Sequence, residues 1–151
     1  MSEANRSKPM RIKWDKSQCT GCVSCVIVCS ERHTGMSAPS RSRIEILVDP
    51  LGGDLAAKYC RQCKNALCAE ACPEDAIQYD ETIRAWLVDD GLCTGCGLCV
   101  EACPFEAIRL DVSTDTAIKC DLCMGATWCV EVCPAKALTV QGHEQKRQNG
   151  E

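Results

Sequence analysis

With 151 residues and a formal net charge of -4, the chain has room for one or two small domains and lacks the basic surplus that nucleic-acid binding asks for. Sixteen residues are cysteine and six are Phe, Tyr or Trp, so large side chains supply little core, and the 46% hydrophobic fraction, which counts cysteine, overstates the apolar stock. The opening MSEANRSKPMRIKW is polar with no apolar run behind it, and no stretch approaches the roughly 18 apolar residues of a membrane span, so a cytoplasmic location is expected.

In chain order, the first ten residues read as mobile. A first cysteine group follows, Cys19, Cys22, Cys25 and Cys29 in CTGCVSCVIVCS. Ile44 to Val48, ahead of Asp49-Pro50 and Gly52-Gly53, predicts a strand and a loop. The second group is Cys60, Cys63, Cys68 and Cys72 in CRQCKNALCAEACP. Ala76 to Tyr79 and Ala85 to Val88 read as strands joined by a turn at Asp80-Glu81-Thr82. The third group is Cys93, Cys96, Cys99 and Cys103 in CTGCGLCVEACP, where Cys99 to Cys103 suits a short helix that Pro104 stops. Ile108 to Val112 and Ala117 to Lys119 are further strand candidates, turning at Ser113-Thr114-Asp115. The fourth group is Cys120, Cys123, Cys129 and Cys133 in CDLCMGATWCVEVCP, and the tail QGHEQKRQNGE reads as mobile.

Every group begins C-x2-C and closes C-x3-C, and only the middle gap varies, at two, four, two and five residues. The repeat extends past the thiols: CPEDAIQ, CPFEAIR and CPAKALT share Cys-Pro, two variable residues, and Ala-Ile or Ala-Leu. Shared non-ligand positions point to duplicated structural units. The first group departs, with Ser30 in place of proline and a longer insertion behind it.

In a reducing compartment, so many thiols bind metal or do redox work. Thiolate sulfur is a soft ligand, which narrows the choice to zinc, copper(I) or iron–sulfur clusters. Gly21, Gly95 and Gly97 permit positive φ and a close approach of backbone to a centre. C-x2-C-x2-C-x3-C-P is the bacterial ferredoxin run for [4Fe–4S], in which the fourth cysteine ligates the other cluster of a pair. Zinc sites commonly pair two C-x2-C knuckles across a spacer of about 15–20 residues, whereas here the four cysteines of each group sit within eleven to fourteen residues and three groups end in Cys-Pro. A thioredoxin-like redox pair would leave two cysteines of each group unexplained.

These motifs resemble the four-cluster ferredoxin-like subunits that accompany molybdenum or tungsten oxidoreductases and some hydrogenases, across roughly residues 10 to 141. Gln62 and Ala66 stand where many relatives carry histidine and proline. The resemblance implies an α+β fold of short strands and helices, with one ferredoxin-like two-cluster unit nested in another. The inner unit would span 56–113 and the outer one 10–55 and 114–141, leaving tails at 1–9 and 142–151. It implies four [4Fe–4S] clusters with crossed ligands. Cys60, Cys63 and Cys68 would join Cys103, and Cys93, Cys96 and Cys99 would join Cys72. Cys19, Cys22 and Cys25 would join Cys133, and Cys120, Cys123 and Cys129 would join Cys29.

Clusters closed by four cysteines offer no open position, so no catalytic residue is expected. His33 and His143 read as exposed polar residues. Trp14, Trp86 and Trp128 read as cover over the clusters, and Lys119 as a solvated lysine, although its charge next to Cys120 could raise a cluster's potential. Each oxidised cluster with its thiolates carries about two negative charges, which takes the holo-protein from -4 to about -12 and favours a partner with a basic docking face.

The function expected is an electron-transfer subunit docked on a molybdenum or tungsten pterin catalytic subunit and serving a further redox carrier. Among such complexes the resemblance is greatest to the small subunit of tungsten-dependent aldehyde oxidoreductases, with hydrogenase partners next. The alternatives are a freely diffusing polyferredoxin and a zinc-stapled interaction module. Self-association into a longer electron path is a further expectation.

Overall fold

The computed structural model describes residues 8–142. In chain order they form β1 (Arg11–Trp14), α1 (Ser24–Thr34), β2 (Ile44–Val48), β3 (Leu55–Tyr59), α2 (Leu67–Ala71), β4 (Ile77–Asp80) and β5 (Ala85–Val88). Then come α3 (Leu98–Ala102), β6 (Arg109–Leu110), β7 (Ala117–Ile118), α4 (Trp128–Val132) and β8 (Leu138–Gln141). This is a small α+β ferredoxin-like fold of short helices and short strands.

The strands pair as four antiparallel ribbons of two: β1 with β8, β2 with β3, β4 with β5, and β6 with β7. Three of these are hairpins. The turn of the β4–β5 hairpin is fixed by Asp80, whose carboxylate accepts the Thr82 and Ile83 amides at 2.8 and 2.9 Å. The fourth ribbon is long-range, with Arg11 opposite Gln141 and Trp14 opposite Leu138. Each ribbon buries one face: Ile12, Ile44, Ile77, Ala117 and Leu138 all point inward.

Two apolar clusters result. One gathers Met10, Ile12, Val26, Ile44, Tyr59, Leu122 and Leu138, with α1 packed on α4. The other gathers Ala66, Ile77, Trp86, Ile108 and Ala117, with α2 packed on α3. Buried cysteines belong to both, so the thiols themselves are core. Tyr59, 2% exposed, ties β1 to β3: its hydroxyl accepts the Trp14 amide at 3.0 Å and Arg61 at 2.8 Å.

The strand at Ile44–Val48 and the one at Ala85–Val88 lie where the residue pattern places them, and β4 is one residue displaced from expectation. β6 and β7 are shorter than expected, and the helix after Gly97 begins at Leu98. β1, β3 and β8 are additions to the expected elements. Of the stretches expected to be mobile, Lys8 and Met10 have tertiary partners: Arg84 donates to the Lys8 carbonyl at 2.6 and 2.9 Å, and the Met10 amide donates to the Arg84 carbonyl at 2.8 Å. Residues 1–7 and 143–151, with His143 among them, lie outside the described residues.

Candidate metal centres

All four cysteine groups approach their sites by the same backbone turns. The residue just before the second cysteine of each C-x2-C pair is left-handed: Gly21 at φ 72°, Gln62 at 45°, Gly95 at 74° and Leu122 at 55°. That conformation costs a residue with a Cβ about 1–2 kcal/mol. Gln62 and Leu122 offset it by being 2% and 0% exposed, packed where a glycine would leave space. A second left-handed residue, Val23, Gly97 or Thr127, caps the helix that carries the third cysteine of groups one, three and four; Ala66 in group two is extended instead.

The shared Cys-Pro-x-x-Ala run has a third device. Asp75, Glu106 and Lys136 are left-handed, at φ 49°, 51° and 56°. Two of these turns aim the following alanine's amide back at sulfur, and Ala76 and Ala137 donate to Cys72 and Cys133 at 3.3 Å each. Those alanines are 1% and 2% exposed, which leaves no room for a larger side chain. In the first group no proline follows Cys29, so α1 runs on to Thr34, eleven residues in all, and is capped by left-handed Gly35. The chain then returns so that the Arg43 amide donates to Cys29 at 3.3 Å. Amides of Gln62, Ala117 and Leu122 similarly reach Cys60, Cys93 and Cys120 at 3.3–3.5 Å.

These turns bring the thiols together in fours, and no disulfide joins any of them. Cys19, Cys22, Cys25 and Cys133 line one cavity with Trp14, Ile46 and Leu138. Cys60, Cys63, Cys68 and Cys103 line a second with Trp86, Ile108 and Lys119. Cys72, Cys93, Cys96 and Cys99 line a third with Ile77, Val88 and Leu110. Cys120 and Cys123 lie within electrostatic reach of Cys129, and Cys29 lies within reach of both Cys123 and Cys129.

Burial sets the acidity of these thiols. It pushes Cys25 and Cys68 up to about 11 and Cys129 up to about 12, and Cys120 goes well above the ordinary thiol value. Neighbouring cysteines add to the rise in each case, because every thiolate raises the cost of ionising the next. Cys29 moves the other way: burial is outweighed by bonds from His33 and the Arg43 amide. Exposed Cys22 is also lowered, by its bond to the Ser24 hydroxyl at 3.4 Å.

A quartet of crowded thiolates therefore needs a cationic centre, and iron clusters supply one. The donor set fits: four soft sulfurs, amides aimed at those sulfurs, and apolar walls. Trp14 adds a buried Nε1 without a protein partner among the described residues, beside the first cavity.

Two residues read as solvated are not. Lys119 is 1% exposed, and its Nζ donates to the carbonyls of Trp86 and Cys120. The His33 side chain is 13% exposed, with Nδ1 2.7 Å from the Cys29 carbonyl and Nε2 3.0 Å from Asp121. The Asp121 carboxylate and then Cys29 raise its pKa to about 10, and its two ring nitrogens face the Cys29 carbonyl and the Asp121 carboxylate. Trp14 and Trp86 line the first and second cavities, while Trp128 is 37% exposed with the Arg32 guanidinium 4.1 Å over its ring.

Gln62 is a site residue that the cysteine spacing does not reveal. Its Oε1 accepts the Trp86 amide at 2.7 Å and its Nε2 donates to the Cys120 carbonyl at 2.8 Å. The available signal was a bulky polar residue at a position where Gly21 and Gly95 take positive φ.

Small paired antiparallel ribbons, short helices and cysteine quartets at ferredoxin spacing define an iron–sulfur protein of the ferredoxin class. The chain belongs to the 4Fe-4S dicluster domain family, whose model matches residues 53–143. It is 37% identical over 105 residues to the polyferredoxin-like subunit of an aliphatic sulfonate oxidoreductase from Pyrococcus furiosus, covering 70% of this chain and 60% of that one. It is 36% identical over 112 residues to the beta subunit of the NADH-dependent phenylglyoxylate dehydrogenase of Aromatoleum evansii, covering 73% and 25%. It is also 36% identical over 110 residues to one of the subunits of the tetrathionate reductase of Archaeoglobus fulgidus, covering 72% and 52%. The chain thus spans less than two thirds of each of these relatives. A chain of the active site complex BamBC of benzoyl coenzyme A reductase, solved with benzoyl-CoA, superposes with a TM-score of 0.52 at 25% identity, covering 87% of this chain and 78% of that one. The first three of these relatives are named as subunits of an oxidoreductase, a dehydrogenase and a reductase. Among the described residues, no helix is long and apolar enough to cross a membrane.

Proposed function

We propose that this chain is a non-catalytic electron-transfer subunit that binds four [4Fe–4S] clusters. It would relay electrons between a tungsten or molybdenum pterin catalytic subunit, acting on an aldehyde, and a second redox partner. The observation that carries this is the collection of sixteen free cysteines into four quartets. Each quartet is crossed: three thiols come from one motif and the fourth from another. Such crossing supports two nested units, motifs two and three inside motifs one and four. The two apolar clusters and the long-range β1–β8 ribbon support the same organisation.

A bound [4Fe–4S] cluster supplies a one-electron couple whose potential answers to hydrogen bonds, burial and charge. The residues of this chain set those quantities. Amides of Ala76, Ala137, Arg43 and Ala117 favour added negative charge on the sulfurs they reach. Apolar side chains line the cavities of three quartets, while Cys22 and Cys96 stay exposed to solvent.

Contacts between quartets give them an order. Cys25 and Cys129 are electrostatic neighbours, as are Cys120 and Cys60. Helix α2 carries Cys68 for one quartet and ends at Cys72 of another, about 6 Å further along the helix axis. The order is therefore the quartet of Cys19, then that of Cys120, then that of Cys60, then that of Cys93. The two exposed cysteines, Cys22 and Cys96, fall in the first and last quartets, where partners could exchange electrons.

Anaerobic purification with whatever binds the chain tests the reading. Iron and acid-labile sulfide for four clusters, together with a co-purifying pterin-containing subunit, are the expected result. Zinc without sulfide would make the protein an interaction module. A loaded chain that leaves gel filtration alone would make it a freely diffusing polyferredoxin.

A further inference from the structure

Lys119 is the most deeply buried charged residue described, and no carboxylate pairs with it among the described residues. A buried ammonium without a counter-anion is expensive, so its position calls for one. Its neighbours show where the anion lies. The side chain lines the cavity of Cys60, Cys63, Cys68 and Cys103. Its charge also reaches Cys120, the first thiol of the adjoining quartet. Lys119 therefore stands in the seam between the two middle sites.

The seam is built to hold it. Nζ donates to the carbonyl of Trp86 and to that of Cys120 at 3.1 Å. Gln62 bridges the same two residues, taking the Trp86 amide and donating to the Cys120 carbonyl. Trp86 in turn anchors its ring Nε1 on the Cys63 carbonyl at 2.9 Å. The ammonium cannot drift from one site to the other without breaking this clamp.

We propose that Lys119 is a shared countercharge for the two middle clusters, raising both potentials above those of the end clusters, so that electrons rest in the interior of the chain. The inference rests on the reading of the quartets as [4Fe–4S] sites. One electron delivered by the catalytic partner adds one negative charge to a middle site. No bond forms and no proton moves; the fixed ammonium lowers the cost of that added charge. The end quartets have no comparable buried cation among the described residues.

The test is an anaerobic redox titration of the full chain, followed by electron paramagnetic resonance. In Lys119→Met, two of the four reduction equilibria should shift at least tenfold toward the oxidised form, about 59 mV for one electron, while two stay in place. Lys119→Arg should keep the wild-type values. Four unchanged potentials, or one uniform shift of all four, would overturn the proposal. If Lys119→Met fails to hold iron, Lys119→Gln, which retains a donor for a carbonyl but no charge, is read the same way. Iron loss in both would make Lys119 a structural strut and overturn the proposal as well. Wild-type protein without labile sulfide would instead defeat the cluster reading itself.

Discussion

The backbone amide of Arg43 donates to the sulfur of Cys29 at 3.3 Å across fourteen residues of chain. Ala76 and Ala137 do the same for Cys72 and Cys133 across four residues. The excursion after Ser30 thus ends by restoring the bond that the missing proline turn would have made.

Arg43→Pro removes that amide, and Arg43→Ala keeps it. Ser42, at ψ 145°, already has the extended conformation that precedes a proline. Both variants lose the guanidinium bonds to the Lys119 carbonyl and to Asp121. The proline variant should be less stable than the alanine one by a further ~1 kcal/mol in anaerobic denaturant unfolding. Equal stabilities would mean that the N–H···S bond contributes nothing.

Gly95 and Gly97 differ in what surrounds them, although both have positive φ. A Cβ on Gly95 would sit 2.2 Å from the Asp115 carbonyl oxygen, whereas one on Gly97 would meet Leu110 at 4.0 Å. Gly97→Ala should cost about 1 kcal/mol in backbone strain. Gly95→Ala should cost roughly 3 kcal/mol, because a backbone carbonyl must also move. Thermal unfolding of the two variants side by side separates them.

Gln62→Leu removes the acceptor of the Trp86 amide and leaves the Cys120 carbonyl with Lys119 as its remaining side-chain donor. The expected loss is about 1–3 kcal/mol. Gln62→Glu keeps the acceptor for Trp86 but not the donor for Cys120, and should fall between leucine and wild type in the same unfolding measurement.

Cys103→Ser tests the crossed ligand sets. The variant should lose the same resonance signal as Cys63→Ser and retain the signal lost in Cys96→Ser. Loss of the Cys96 signal instead would assign Cys103 to its own motif.

Asp111, 5% exposed, receives the Arg41 guanidinium at 2.9–3.1 Å and the Ser113 amide at 2.7 Å, and the Arg41 bond first of all lowers its pKa. A depressed carboxyl contributes stability that is present above its unfolded value near 3.9 and lost as pH falls through the lower folded value. The stability gap between wild type and Asp111→Asn should therefore be constant from neutral pH to about 5 and shrink below about 4. A gap that widens on acidification would contradict the assignment.

The cysteine repeat made the four motifs legible because ligand spacing is a local property, and three glycines marked close turns, whereas the fourth thiol of each set comes from a distant motif and was implied only by the family resemblance. Tertiary burial was not legible. Lys119 and His33 look like surface residues in sequence, yet their partners lie 33 and 88 residues away, in Trp86 and Asp121. Strands β1, β3 and β8 are not legible in the sequence for a related reason. RIKW, LAAKY and LTVQ are too short for a strong alternation, and two of them acquire a hydrogen-bonding edge only from each other. The β4–β5 hairpin, with its partner one turn away, was readable.

The β1–β8 ribbon also fixes an order of events on the ribosome. Gln141 is made 130 residues after its partner Arg11, so the ribbon and the Cys133-closed pocket form only after the strands of the three hairpins have been made. The pocket closed by Cys103 has all of its thiols thirty residues sooner. Maturation factors delivering iron to a nascent chain would meet a finished interior receptacle while Cys19, Cys22 and Cys25 still lacked their fourth companion.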